Sequence, residues 1–309
     1  MAKTALLFAG QGAQVVGMGW DLAESHSTAK ALFAQADEAL GYGLSGICFF
    51  GPEEELVRTE HAQPAIYLVG WVALQLLREQ APSLAFDATA GLSLGEFTAL
   101  AAADALGFED GLRVVRRRGE VMQHACEASA GGMAAIVGLD EEAVRDVCGQ
   151  AGVSLANLNC PGQIVISGDA DKMEAACDAA KAAGAKRAIP LPVAGAYHSP
   201  LMQPAQAGLA GALAKVELHE PSVPVYSNVT GQAHAAAGTI AATMVDQVTS
   251  PVKWEACIRA MIADGVTRFI ELGPGTALSG FMRRIDRDIE MLNVADCDSL
   301  AKAAGTLNG

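Results

Sequence analysis

The chain has no run of about 18 or more uninterrupted apolar residues, the minimum for a helix that crosses a membrane. A protein anchored by a membrane-spanning helix is therefore excluded. Its seven cysteines (Cys48, Cys126, Cys148, Cys160, Cys177, Cys257 and Cys297) are dispersed, odd in number and never paired as C-x-x-C. Metal-ligand spacings are missing too, so the pattern predicts reduced, mostly buried thiols in a cytoplasmic protein without a metal site. Positive charge is short: 21 lysines and arginines against 35 acidic residues leave a net charge of −14. That balance excludes nucleic acid as a partner, and an acidic protein partner would need a local basic patch. The N-terminal stretch from Met1 to Phe8 runs straight into a Gly-rich turn; it is too short for a signal peptide and lacks the small-residue cleavage site. Low-complexity linkers are also missing.

What is present suits a soluble α/β protein. The 309 residues are 51% hydrophobic and 18% charged, enough for one large domain or a large domain with a smaller one. Strands and helices alternate. A strand over 4–9 leads into the turn at 10–14, helices are predicted at roughly 27–40, 63–80 and 108–127, and buried strands at 223–227 and 267–272. The alternation predicts a largely parallel sheet with helices on both faces.

Residues 132–193 read as a separate unit in the order β-α-β-β-α-β, the ferredoxin-like pattern, with Asp140 as the N-cap of its first helix. Gly-rich segments at both ends suit hinges. The predicted division is a main body of residues 1–128 and 197–309, interrupted by a subdomain at 129–196. The Ala/Gly-rich tail from about Ser299 is expected to fray.

Gly91-Leu92-Ser93-Leu94-Gly95 carries the clearest chemistry. A strand is predicted before it at 85–90 and a strong helix former follows. This is the setting of a nucleophile elbow, where a serine stands exposed on a sharp turn and glycines allow close packing. The helix N-terminus offers free N–H groups to an oxyanion. An activated serine needs a base. Five histidines (His26, His61, His124, His219 and His234) lie in polar, helical or turn contexts and read as surface residues. His198 differs, sitting in a loop between Gly195 and Pro200. On the 108–127 helix, Leu112, Val115, Gly119, Met122 and Cys126 form one apolar stripe. Arg113 and Arg117 point away from it, whereas Arg116 and Arg118 border it on opposite edges, and the wheel does not choose between those two.

Seven segments, in order along nearly the whole chain, resemble the malonyl-CoA:acyl carrier protein transacylase family. They are GQGAQ at 10–14, GLSLGE at 91–96, RRRGEVMQ at 116–123, NLNCPGQIVISG at 157–168, AKRAIPLPVAGAYHSPLM at 185–202, QVTSPVKW at 247–254 and ELGPG at 271–275. The resemblance implies an α/β-hydrolase-like large domain interrupted by the ferredoxin-like subdomain. It also implies transfer of malonyl from malonyl-CoA to the phosphopantetheine thiol of acyl carrier protein, supplying extender units for fatty acid synthesis, although the sequence does not distinguish that from polyketide synthesis. No cofactor is implied, and a monomer suffices.

Residue by residue, the resemblance makes Ser93 the acyl acceptor and His198 its base and acid. His198 would be oriented by the backbone carbonyl of Gln247, with Asp246 as an alternative orienter. The oxyanion hole would be the N–H groups of Leu94 and Gln11, the Gln11 side chain being incidental. Arg118, immediately before Gly119, would bind the malonyl carboxylate. Gln63 and Met122 would line the site, and Tyr197 would favour malonyl over methylmalonyl by its bulk. Asn159 and Gln163 would hold a loop. Lys186 and Arg187 are the candidate basic patch for the carrier. One position departs from the family: Leu92 stands where most members have histidine. A serine hydrolase would share the Ser–His chemistry, but the GQGAQ loop and the placed arginine speak against it. A catalytically silent carrier-binding scaffold is disfavoured by the presence of nucleophile, base and arginine together.

Overall fold

The structure, a computed structural model, describes residues 2–309; Met1, which opens the predicted main body, lies outside the described residues. Five strands form one parallel sheet: β1 (Lys3–Phe8), β2 (Ala88–Gly91), β7 (Val225–Tyr226), β8 (Val266–Leu272) and β9 (Glu290–Val294), in the order β7-β2-β1-β8-β9. Burial on both faces explains why β1 reads as an apolar run rather than an alternation. The pleat sends alternate side chains to two cores. Leu6 and Phe8 join a core built on helices Thr59–Gln80 and Phe108–Ala128, whereas Ala5 and Leu7 meet Trp254, Ile258 and Met261 of helix Trp254–Ala263.

A second, antiparallel sheet holds β3 (Gly131–Val137), β4 (Ser154–Cys160), β5 (Gln163–Asp169) and β6 (Arg187–Pro190), ordered β4-β5-β3-β6. Helices Glu141–Ala151 and Ala170–Ala182 complete a β-α-β-β-α-β chain order with its own core around Ile136, Val144 and Ile166. Asp140 caps the first of these helices by accepting from the Ala143 N–H. Strand β4 is tied to the larger sheet's side of the molecule by paired backbone bonds, Leu158 N–H to Val252 O and Val252 N–H to Ala156 O.

Two expectations are corrected. The helix predicted from 63 begins at Thr59, because the Gln123 side chain accepts the otherwise orphaned Thr59 N–H; Pro64 lies inside it. The tail does not fray. Cys297–Asn308 is a helix opened by an Asp296–Ser299 capping box, with Leu300 and Ala303 buried. Small residues let it sit close to the body, and Cys297 N–H donates to Asp21. Strand β9 and helices such as Gln203–Leu213 were not anticipated. Among the described residues no helix is long and apolar enough to cross a membrane.

Candidate active site

The carboxyl ends of β1 and β2 deliver the Gly10–Gly12 turn and the Leu92–Ser93 turn to one crevice, the usual ligand position in an open α/β sheet. Ser93 has φ 53°, in the left-handed region, where a non-glycine residue carries strain on the order of 1 kcal/mol or more. The flanking glycines are obligatory here. A Cβ on Gly91 would lie 1.9 Å from Gly95 C, and one on Gly95 would lie 2.4 Å from Phe8 O. Two bonds from Asn228 pin the turn: its Oδ1 accepts from Ser93 N–H at 2.6 Å and its Nδ2 donates to Gly91 O at 2.9 Å.

Ser93 Oγ is 2.8 Å from His198 Nε2. On the other side of the ring, His198 Nδ1–H donates to Gln247 O at 2.9 Å and to Ser250 O at 3.2 Å. Those carbonyls hold the proton on Nδ1 and leave Nε2 as an acceptor for the serine proton. Burial, and then the Arg118 charge, push the His198 imidazolium pKa down to about 4, against the two carbonyls that raise it. Asp246, the alternative orienter, is exposed at the end of helix Ala237–Asp246 and makes no bond to His198.

Of the helix arginines, only Arg118 enters the site; it is 1% exposed. Arg113 pairs with Glu109 and Asp110, Arg117 with Glu120, and Arg116 turns toward Leu40 O, Glu120 and the Tyr42 ring. Arg118 donates through Nη1 to Gln63 Oε1 at 2.8 Å, and through Nη2 to Gln247 Oε1 at 2.9 Å and Ser93 Oγ at 3.1 Å. Its Nε is buried with no acceptor. Burial pulls its pKa down to about 10, opposed by the Glu96 charge, so it remains a cation at neutral pH.

The remaining candidates surround these groups. Gln63 Nε2 donates to Gln11 Oε1 at 3.3 Å and lies 3.5 Å from Met122 Sδ. The Gln11 side chain is itself engaged, its Nε2 also reaching Tyr197 OH at 3.3 Å. Tyr197 OH is in turn 2.6 Å from Thr59 Oγ1. The N–H groups of Leu94 and Gln11 make no hydrogen bond to another group among the described residues. Gln11, Leu92, Ser93, Met122, Tyr197 and His198 line a cavity of about 410 Å³, whose wall also includes Leu191 to Ala194.

Other placements differ from the sequence reading. Asn159 lies on β4 rather than in a loop; it lines the cavity, and its buried Oδ1 has no partner. Gln163 opens β5, near Cys160 Sγ. Lys186 and Arg187 are exposed at the start of β6 and lie outside the cavity. His234, read as a surface residue, has a buried side chain with Nε2 2.8 Å from Glu96 Oε1. Asn228 and His234 were missed because the turns that carry them look ordinary and their partners lie more than 130 positions away. Glu96 carried one legible signal: it is the only charged residue in the apolar helix Gly95–Ala102.

Comparison with known proteins fits this geometry. Residues 5–302 match the acyl transferase domain family. The chain is 45% identical to the malonyl CoA-acyl carrier protein transacylase of Bacillus subtilis, over 99% of this chain and 98% of that protein. It is 43% identical to the transacylase of the same name from Escherichia coli, over 92% and 93% respectively. Among solved structures, the malonyl CoA-acyl carrier protein transacylase of Coxiella burnetii superposes with a TM-score of 0.95 at 36% identity, covering 100% of this chain and 98% of that one. A malonyl-transacylase solved in complex with its type II PKS acyl-carrier protein also gives 0.95, at 38% identity over 99% and 100%.

Proposed function

This chain belongs to the acyl transferase family, and from that premise we propose that it moves malonyl from malonyl-CoA to the phosphopantetheine thiol of an acyl carrier protein. The observation that carries the reading is the contact of 3.1 Å between Ser93 Oγ and the buried Arg118 guanidinium, which supports a cation within reach of the free carboxylate of a Ser93-bound malonyl group. A planar guanidinium can grip a carboxylate through two parallel bonds. Acetyl has no carboxylate to offer, and leaves the buried arginine unpaired.

The reaction runs in two halves. Ser93 Oγ attacks the thioester carbonyl while His198 Nε2 takes its proton. The oxyanion forms against the N–H groups of Leu94 and Gln11, each worth about 3–4 kcal/mol by analogy with similar donors. Collapse breaks the C–S bond, His198 returns the proton to the departing CoA sulfur, and malonyl remains as an ester on Ser93. The carrier thiol then attacks that ester with His198 again as base, and Ser93 is released with its proton. A thiolate leaves more readily than an amine, so an imidazole held by carbonyls rather than by a carboxylate suffices.

Tyr197, held by Thr59 and Gln11, crowds an α-methyl branch and favours malonyl over methylmalonyl, while Gln63 and Met122 shape the acyl end of the cavity. Lys186 and Arg187 serve as the basic contact for the acidic carrier. The larger sheet is read as the α/β-hydrolase-like body, residues 1–128 and 197–309, and residues 129–196 as the ferredoxin-like subdomain. The protein is placed in the cytoplasm as a monomer that feeds fatty acid synthesis.

Intact-protein mass spectrometry tests the reading. Mixing with malonyl-CoA should add one malonyl group, absent in Ser93→Ala and discharged by holo acyl carrier protein, while acetyl-CoA should label poorly. Free malonate accumulating without an adduct would instead establish a hydrolase.

A further inference from the structure

Behind the reacting atoms lies a buried polar chain that the reaction steps do not use. Glu96 sits in the first turn of helix Gly95–Ala102 and is fully buried. A carboxylate there is tolerable only if paired and hydrogen-bonded. Three donors meet it: His234 Nε2 at Oε1, 2.8 Å, and at Oε2 both Gln247 Nε2, 2.7 Å, and Asn228 N–H, 3.0 Å. Gln247 Nε2 makes a second bond, to Ser93 O at 3.0 Å. With both its N–H groups facing acceptors, the Gln247 amide has one satisfactory orientation. Its Oε1 must face Arg118 Nη2. Reversing the amide would set oxygen against the Glu96 carboxylate and N–H against guanidinium N–H, two repulsive contacts in a dry setting.

We propose that Glu96 is a positioning residue for acyl-group selection: clamped by His234, it sets the Gln247 amide, and through it the pose in which Arg118 meets the acyl carboxylate. The inference rests on the malonyl reading above. Glu96 touches neither substrate nor Ser93 Oγ. Its influence on Arg118 passes through one amide, and a guanidinium held at both Nη atoms before substrate arrives has less to reorganise on binding. Asn228 gives Glu96 a second connection, to the elbow itself, and the test must separate the two.

The test is Glu96→Gln in the full chain, with acylation kcat/KM measured for malonyl-CoA and acetyl-CoA, alongside inactivation by a neutral sulfonyl fluoride, which reports Ser93 reactivity without offering Arg118 a carboxylate. The malonyl-to-acetyl ratio should fall at least tenfold, mainly through a raised KM for malonyl-CoA, while sulfonyl fluoride inactivation slows less than threefold. An unchanged ratio overturns the proposal. So does a parallel loss of malonyl, acetyl and sulfonyl fluoride reactivity, which would make Glu96 a brace for the elbow only. If Glu96→Gln does not fold, His234→Ala decides: a ratio lowered threefold or more supports the chain of contacts, and an unchanged one overturns it. A wild-type enzyme with no malonyl preference removes the malonyl reading itself, an outcome recognisable before any variant is made.

Discussion

Arg118 Nη2 stands 3.1 Å from Ser93 Oγ, so the cation proposed to receive the acyl carboxylate already touches the proposed nucleophile in the resting protein. The contact has two opposed effects. A positive charge beside Oγ favours the developing alkoxide, and the same charge disfavours the imidazolium that must form next to it. A carboxylate arriving at Arg118 neutralises that charge and lets His198 hold the proton more readily. A malonyl group at Arg118 would therefore strengthen the base that activates Ser93, and an acetyl group would not.

The first prediction is the pH profile. His198 is pushed from 6.5 down to about 4 by burial and then by Arg118. The neutral ring is the working base, so acylation kcat/KM should stay level as pH falls below 6.5 and decline only toward about 4. Stability moves in the same direction. The unfolded chain takes up the His198 proton near 6.5 and the folded one near 4, so the contribution of this group is complete above 6.5 and lost as pH falls through that window. Removing the cation in Arg118→Leu should raise the lower inflection, measured with acetyl-CoA, but not to 6.5, since burial is the larger cause. An inflection at 6.5 in the wild type would refute the account.

The second prediction concerns the acyl group. Arg118→Met keeps much of the bulk but cannot pair with a carboxylate. Two charge-assisted bonds at about 1.5–2 kcal/mol each correspond to a loss of about 10²–10³-fold in kcat/KM for malonyl-CoA. Acetyl-CoA should be unaffected or better, because no buried charge is left unpaired. Stopped-flow acylation with both thioesters measures this. An equal loss for both would mean that Arg118 acts on Ser93 rather than on the acyl group.

Much of the site was legible because its chemistry is local. Ser93 lies in a turn framed by glycines whose neighbours leave no room for a Cβ, and His198 in a loop between glycine and proline. Arg118 was only half legible. Helical geometry left it level with Arg116, and only the family motif, an arginine immediately before Gly119, chose it; in the structure Leu40 O and the Tyr42 ring hold Arg116 away. Asn228 and His234 were out of reach of any local pattern, and Glu96 showed only as a lone charge in an apolar helix, since their bonds join a strand end, a helix start and a hairpin turn across the fold. In the fold itself, β1 announced itself as an apolar run and β8 as a buried strand. Strand β9, at the sheet edge and only partly buried, carries no such signal.

The third prediction follows from the tail. Asp296 accepts from Ser299 N–H at 2.8 Å and from Ser299 Oγ at 2.6 Å, and its carboxyl is held below the ordinary 3.8 by those two bonds. Asp296→Ala should cost about 1 kcal/mol and lower Tm by about 2–3 °C. The depressed pKa makes the cap's contribution present above 3.8 and lost as pH falls through the lowered value. Wild type and variant should therefore converge in Tm under strongly acidic conditions. An unchanged Tm at pH 7 would restore the frayed tail.

The last prediction concerns the carrier. The protein carries −14 overall, so an acidic partner needs a local attraction to overcome repulsion at long range. Lys186 and Arg187 are exposed at the head of β6, the strand that runs on into the Leu191–Ala194 wall of the cavity. A carrier held there would have its phosphopantetheine arm directed along that wall toward Ser93. Reversing both charges, Lys186→Glu with Arg187→Glu, should slow discharge of malonyl-Ser93 to the carrier by about tenfold at low salt, more than it slows loading from malonyl-CoA. The deficit should shrink as ionic strength rises and the charges are screened. Separate single-turnover measurements of loading and discharge decide the matter: an equal loss in both halves, or a deficit indifferent to salt, would place the carrier elsewhere.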